Sequence, residues 1–369
     1  MNAEPGFADC EISRRQALRF LGLAGGALAV GGALSGCSNG SDRRLKFFNW
    51  QDYIDGALLS EFTGASTIEV SYSTYESNDE LGDRLALAGV PRRGNRKAST
   101  FDLVVPSDNL FQRLKDSGRL QRLDSSIVTE ALLGRLGSEF RSLPFDTGNR
   151  FSVPWATGST GIGYDSSVFA EPPDWSVFLN STYAGKMSLL DEKREAFAAS
   201  LFSLGLDPNS TGSVEITKAT NQLEAMKAQT AFNSATYLDD LASGKTVAAQ
   251  AFSTDLLQAR ERNPKLAFVI PDAGGTRWVD LLCIPTDAPN PEAANRFIAF
   301  YLDPKVSAQN ASSVKIDTGN DGARAVLSAA ITSDPVVFPP ANVASRLVFF
   351  RDLGDAEGRY NDAWDQVRG

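Results

Sequence analysis

The strongest constraint on the fold is a run of three apolar strand-like segments, each followed by a helix-like one, between residues 45 and 118. Residues 45–49 read as a buried strand and residues 57–62 as a helix ending near Gly64. Residues 67–73 alternate as a second strand, with a helix over 79–88. Residues 101–106 form a third strand, and a helix over 109–116 stops at Gly118. A β-α-β-α-β-α order predicts a parallel sheet joined by right-handed crossovers. The first two strands end in polar and aromatic residues, F-F-N-W-Q-D-Y-I (47–54) and S-Y-S-T-Y-E-S-N (71–78). In open α/β sheets that carboxyl edge is where ligands bind.

Further along, residues 150–154 and 161–165 read as extended, separated by the glycine-rich A-T-G-S-T-G (156–161), a segment able to bend between two lobes. Helices are expected near 197–204 and 213–228, and strands near 266–270 and 279–285. A helix follows over 295–301, and helix and coil from Arg324. With 369 residues the chain is long enough for two lobes with separate cores. Two α/β lobes crossed more than once by the chain suit a ligand cleft at their interface.

Several function classes fall away on composition. The net charge of −9 argues against nucleic acid, whose partners are basic. There is no histidine, which removes Ser-His, Cys-His and His-metal chemistry. Cys10, Cys37 and Cys283 are too few for a thiolate zinc site or a disulfide framework, and no cofactor is implied. The G-S-T-G stretch has neither the G-x-S-x-G elbow nor a P-loop lysine. Cys283 reads as a small buried hydrophobe.

The front end reads as an address. Arg14 and Arg15 precede an uncharged apolar run over 20–34, about as long as a signal peptide's apolar region and short of the roughly 20 residues a membrane span needs. Paired arginines suggest twin-arginine export, although Ala17 stands where that signal usually has Phe. The run ends in L-S-G-C (34–37), which resembles a bacterial lipobox, so Cys37 is expected to carry lipid and residues 38–42 to act as a polar spacer. The basic stretch over 90–100 reads as a solvated insertion.

Four residue groups are candidates to face one cleft. Trp50 and Tyr53 follow the first strand, and Ser107 and Asp108 follow the third. Glu192 and Glu195 lie three apart at a helix start, and Trp278 and Asp280 share one face of a strand. Aromatic faces beside carboxylates suit a linear polyammonium ligand, whose methylenes pack on rings and whose ammonium groups donate to acids. Trp175 and Trp364 read as structural.

In order along the chain, N-W-x-x-Y (49–53), Y-S-T-Y-E-S-N (72–78), D-L-V-V-P-S (102–107), V-P-W-x-x-G-S-T-G-I-G-Y (153–164), Y-A-G-K (183–186), D-x-x-R-E (191–195) and W-x-D-x-L-x-I-P (278–285) resemble the spermidine/putrescine-binding periplasmic proteins of polyamine ABC importers. The resemblance implies a type II periplasmic binding fold, two α/β lobes around a cleft and hinge. It places residues 45–155 with 280–325 in the N-terminal lobe and 156–279 with 326–369 in the C-terminal lobe, after a signal peptide over 1–36 and a lipidated tether over 37–44. Trp50, Tyr53, Ser107, Glu192, Glu195, Trp278 and Asp280 match positions that contact ligand in that family, with Glu192 standing where the family usually has Asp. Trp50 and Trp278 would sandwich the alkyl chain, Tyr53 would line it, and Glu195 and Asp280 would take ammonium groups. Phe252 falls near a family Trp. The periphery departs from the pattern at Gln51, Asn109, Ile316 and Phe350.

The expected role is that of a monomeric, lipid-anchored binding subunit on the extracytoplasmic face, passing polyamine to membrane permease subunits. A binding protein for another cationic or zwitterionic amine is an alternative. For a zwitterion, Arg194 and Arg277 would be the partners of a ligand carboxylate. A tethered amine sensor without transport is another, and a carboxylate-dependent glycosidase a third.

Overall fold

The computed structural model describes residues 44–75, 78–85, 101–141 and 143–369. The paired arginines, Cys10, the apolar run, Cys37 and the basic stretch over 90–100 lie outside the described residues, as do Glu76 and Ser77 of the second opening motif.

Ten strands form one mixed sheet: β1 (Arg44–Trp50), β2 (Glu69–Tyr75), β3 (Leu103–Val104), β4 (Ser152–Asp165), β5 (Met187–Leu189), β6 (Ala231–Phe232), β7 (Ala248–Phe252), β8 (Leu266–Val269), β9 (Gly275–Cys283) and β10 (Leu347–Phe349). Their order is β2-β1-β3-β9-β4-β7-β5-β6, with β8 paired to β4 and β10 to β9. The first three strands are parallel, as expected. Beyond them the sheet departs from the all-parallel expectation, because β9 runs antiparallel to β3 and to β4.

Two apolar regions segregate along this sheet. One gathers Phe47, Phe62, Phe111 and Trp155 with Leu281 and Phe297, under helices Gly56–Ser66, Asp108–Asp116 and Pro291–Tyr301. The other gathers Ile162, Trp175, Phe197, Leu223 and Tyr360, under helices Lys193–Ser203, Ser213–Lys227 and Glu357–Arg368, with a satellite around Tyr237 and Leu256. Phe62, Phe297 and Phe300 meet ring to ring, as do Phe47 and Trp155, within a first region that is otherwise mostly aliphatic. Trp175 is buried with its indole N–H bonded to Gly274 O at 2.8 Å, and Trp364 packs on Phe232. Both are structural. Cys283 is free and fully buried.

The glycine-rich stretch 156–161 is not a loop between two extended pieces. It is the middle of β4, a strand of 14 residues. One half of β4 pairs with β9 across residues 152–160, and the other half pairs with β7 and β8. A register shift between Pro154 and Ala156 interrupts the pairing with β9 within the first region, six residues before Ile162 enters the second. The glycines stay extended because close neighbours need the space. A Cβ on Gly161 would lie 2.5 Å from Val269 O and 2.7 Å from Ile270 Cδ1.

Gly161→Ala should therefore lower the unfolding free energy by about 1–3 kcal/mol, the usual cost of overpacking. Denaturant titration of the purified protein reads this directly. A variant as stable as the parent would show that β8 can move away from β4 without loss.

Candidate functional site

The site is built on one face of β9. Thr276, Trp278 and Asp280 alternate on it, and their cross-strand partners on β4 are Thr160, Gly158 and Ala156. The two small residues leave room for the indole. A Cβ on Gly158 would overlap Trp278 Cζ2 and sit 2.9 Å from Ser253 Oγ. The intervening residue, Arg277, points to the opposite face. There it pairs with Glu139 at 3.0 Å and lies 4.9 Å from the Phe140 ring centroid.

Asp280 is the junction of three segments. Ser107 Oγ donates to its Oδ1 at 2.6 Å, and Tyr53 OH donates to its Oδ2 at 2.8 Å. Ser107 also forms an isolated antiparallel bridge with Asp280, and Leu281 N–H bonds to Pro106 O at 3.0 Å, which fixes β9 against the end of the third parallel strand. Tyr53 reaches back because the chain turns sharply after β1. Asp52 has φ of 54°, a left-handed conformation that Asp tolerates better than most residues.

Trp50 closes β1. Its indole Nε1 donates to Val105 O at 2.8 Å, and its ring lies 4.7 Å from that of Tyr75. Phe252, at the end of β7, meets Trp278 edge to face with centroids 6.3 Å apart. Trp50, Tyr53, Phe252 and Trp278 are all half-buried, so each keeps part of a ring open to a neighbour or ligand.

On the helix Lys193–Ser203, which covers the second apolar region, Glu195 sits in the first turn and is 6% exposed. Its carboxylate accepts from Thr160 Oγ1 at 3.0 Å and from Thr276 Oγ1 at 3.0 and 3.1 Å. Gln250 Nε2 bonds to its main-chain carbonyl at 2.8 Å. Glu192 precedes the same helix and is exposed, and its charge adds to the repulsion that Glu195 feels. The structure thus brings Glu195 and Asp280 onto the single surface of β4 and β9, and leaves Glu192 at its outer edge.

Three contributors were not among the sequence candidates. Thr160 and Thr276 hold Glu195, and their signal was the alternation T-x-W-x-D opposite A-x-G-x-T. Asp255 is half-buried and accepts the hydroxyl of buried Tyr237, whose oxygen also takes Phe252 N–H at 3.5 Å. Helix Ser253–Arg262 places Asp255 one turn beyond Phe252.

The electrostatics follow from burial without an ion-paired partner, although Arg194 attracts Glu195 from beyond contact distance. Among the described residues, no Lys or Arg forms an ion pair with Asp280, Glu195 or Asp255. Burial pushes Glu195 up to about 7, against the opposing pull of its two threonine hydroxyls. Asp280 is pushed up to about 6 by burial, against the hydrogen bonds of Ser107 and Tyr53. Burial, then the adjacent Asp280, holds Tyr53 well above the usual phenol range, so it remains a donor. Arg194, the basic residue nearest Glu195 in sequence, is committed elsewhere. It bonds Asn209 Oδ1 and Arg351 O and lies 4.4 Å from the Phe350 ring centroid. The arrangement is a desolvated anionic surface with aromatic walls, suited to a cation with an apolar chain.

Residues 57–339 match the bacterial extracellular solute-binding protein family. The chain is 32% identical to the spermidine/putrescine-binding periplasmic protein of Salmonella typhimurium, over 94% of this chain and 97% of that one. It is also 32% identical to a putrescine-binding periplasmic protein of Escherichia coli, covering 92% of this chain and 96% of that one. Among solved structures it resembles the spermidine/putrescine ABC transporter substrate-binding protein of Streptococcus pneumoniae, with TM-score 0.78, 28% identity and coverage of 88% and 98%. It also resembles a lipoprotein of Treponema pallidum, with TM-score 0.76, 26% identity and coverage of 88% and 99%.

The two raised carboxyls predict a pH-dependent stability. Glu195 ordinarily titrates near 4.5 and here near 7, so the folded state holds its proton over that interval while the unfolded state loses it. Stability is then highest below about pH 4.5 and declines as pH rises through 7, by on the order of 3 kcal/mol for this group. Asp280 contributes in the same direction between its ordinary 3.8 and about 6. Without ligand, Glu195→Gln should gain stability relative to the parent as pH rises from 4.5 to 7.5 in denaturant titrations. A constant difference across that range would contradict the assignment.

Proposed function

The chain belongs to the bacterial extracellular solute-binding proteins, in the branch of the spermidine/putrescine-binding periplasmic proteins, and from that premise we propose that it binds a polyamine and delivers it to an ABC importer. The family consists of transporter binding proteins, not enzymes, so the hydrolase reading falls. Its fold is the two-lobed type II periplasmic binding fold.

One observation carries the proposal. Asp280 is 6% exposed, has hydroxyl donors on both oxygens, and has no cation beside it among the described residues. A buried carboxylate without a counter-ion is costly, and an arriving ammonium supplies the missing charge. Charge-assisted hydrogen bonds of this kind contribute roughly 1.5–3 kcal/mol each. Cation–π contacts with Trp50, Tyr53 and Trp278 add about 0.5–2 kcal/mol apiece. Two anchored ends and a stacked middle reach a micromolar Kd, near −8 kcal/mol, after the entropy of binding is subtracted.

In this reading Glu195 and Asp280 receive ammonium groups, Trp50 and Trp278 flank the methylenes, and Tyr53, Ser107 and Phe252 line the cleft, with Glu192 at the rim. The N-terminal lobe comprises residues 45–155 and 280–325 and the C-terminal lobe 156–279 and 326–369, a division supported by the segregation of the two apolar regions. Ligand spanning both lobes favours the closed state by its differential affinity for that state. For a zwitterionic ligand Arg277 is out of reach, on the opposite face of the sheet and paired with Glu139, which leaves Arg194, itself held by Asn209 and the Phe350 ring, to meet a carboxylate.

Asp280→Asn should weaken spermidine and putrescine binding by more than tenfold, measured by titration calorimetry. Unchanged affinity would remove Asp280 from recognition, and a wild-type protein that is folded yet silent to every polyamine would remove the proposal itself.

We further propose that the protein leaves the cytoplasm by the twin-arginine route, acts as a monomer, and is held at the membrane by lipid on Cys37. The L-S-G-C sequence and the Treponema pallidum lipoprotein among its structural relatives support the anchor. Cys37→Ser should move the protein from the membrane fraction to the soluble extracytoplasmic fraction and abolish incorporation of labelled palmitate. Retention with continued labelling would exclude Cys37 as the anchor.

A further inference from the structure

Asp108 is the first residue of helix Asp108–Asp116 and follows Ser107, whose hydroxyl holds Asp280. An acid in a first helical turn is ordinarily a solvated partner of the helix dipole. Asp108 is not solvated. It is 3% exposed, its Oδ1 takes the N–H of Asn109 at 2.7 Å, and its Oδ2 is buried without a hydrogen-bond partner. No Lys or Arg pairs with it among the described residues. One turn on, Gln112 bridges to the second lobe through Phe350 O at 3.3 Å and Asp352 N at 3.2 Å, so this helix start lies where the lobes meet. Burial holds the Asp108 carboxyl well above the ordinary range, and the charges of Asp280 and Glu195 add to it, against the opposing pull of the Asn109 N–H and of the Arg194 guanidinium.

We propose that Asp108 is a further recognition carboxylate that receives the internal ammonium of a triamine, and so biases the cleft toward triamines over diamines. This deepens, and rests on, the polyamine reading. Asp280 and Glu195 are held by hydroxyls and suit the two terminal ammonium groups. Asp108 stands within electrostatic reach of both and has one free acceptor oxygen. A triamine carries a secondary ammonium between its primary ones, whereas a diamine has only methylenes to offer there. The unpaired oxygen is a source of instability in the empty protein that such a ligand removes.

The test compares the purified parent protein, Asp108→Asn and Asp108→Ser by calorimetric titration with spermidine and with putrescine, alongside thermal melting without ligand. Asp108→Asn should reduce spermidine affinity at least tenfold and putrescine affinity less than threefold, while the ligand-free melting temperature stays level or rises. Asp108→Ser should reproduce the selectivity change. Equal losses for both amines, or no loss for either, would overturn the assignment while leaving polyamine binding standing. A lowered melting temperature with a parallel fall for both ligands would make Asp108 structural. A parent protein that binds neither amine would end this proposal together with the reading beneath it.

Discussion

Everything at the site depends on the antiparallel pairing of β4 with β9. Those two strands pass between both apolar regions, and the register that aligns Gly158 with Trp278 also aligns Thr160 with Thr276 and Ala156 with Asp280. Period-two alternation then puts an acid, an aromatic ring and a hydroxyl on one surface, with small residues opposite them. The same pairing lets a threonine from each strand converge on Glu195, a residue from a helix. The site is therefore a consequence of sheet register, and loops add Tyr53 and Ser107 to a frame already set. Eight cross-strand residue pairs, interrupted only at Trp155, make that frame hard to deform.

Stability and recognition oppose each other here. A core of this size would be more stable with apolar residues at Asp280 and Glu195, since desolvating an unpaired carboxylate is unfavourable. The protein tolerates the penalty by spreading it. Hydroxyl donors satisfy part of each carboxylate, and partial protonation near neutral pH removes part of the charge. What remains is a partly compensated negative charge, which on the proposed reading an ammonium group completes. Tyr53 and Tyr237 extend the device, because each phenol donates to an acid and is itself kept protonated by burial and by that acid.

Much of this was legible in the sequence, and the reasons differ by element. The three opening strands announce themselves by long apolar runs closed by turn residues, and all three are present. Trp278 and Asp280 could be placed on one face from spacing alone. The strands β5, β6, β7 and β10 were not anticipated, because segments of two to five residues carry too few turns of any period to distinguish strand from helix. Helices Ser253–Arg262 and Pro304–Val314 were missed for a related reason, because tertiary packing rather than pattern holds them, whereas Glu357–Arg368 falls in the tail expected as helix and coil. The glycine-rich 156–161 looked like a bend because glycine usually marks one. In the fold it marks close approach, where Trp278 and Val269 leave no space for a side chain. The threonines around Glu195 carried a signal only in combination, since the alternation T-x-W-x-D opposite A-x-G-x-T shows itself once the two strands are known to pair in this register.

Register also explains why the cleft is anionic at all. Arg277 lies between Thr276 and Trp278, one residue from the surface that carries Asp280, yet it faces Phe140, Phe349 and Glu139 on the other side of the sheet. A slip of β9 by a single residue would exchange the faces, bringing a guanidinium inward and sending Asp280 into an apolar layer. Two features resist that slip. Ser107 and Leu281 tie β9 to the end of the third strand, and the indole of Trp278 fits only opposite a residue without a Cβ. Gly158 thus decides more than local space. By admitting the ring opposite itself, it fixes the sign of the charge on this face of the sheet, the face that the proposed function assigns to the ligand.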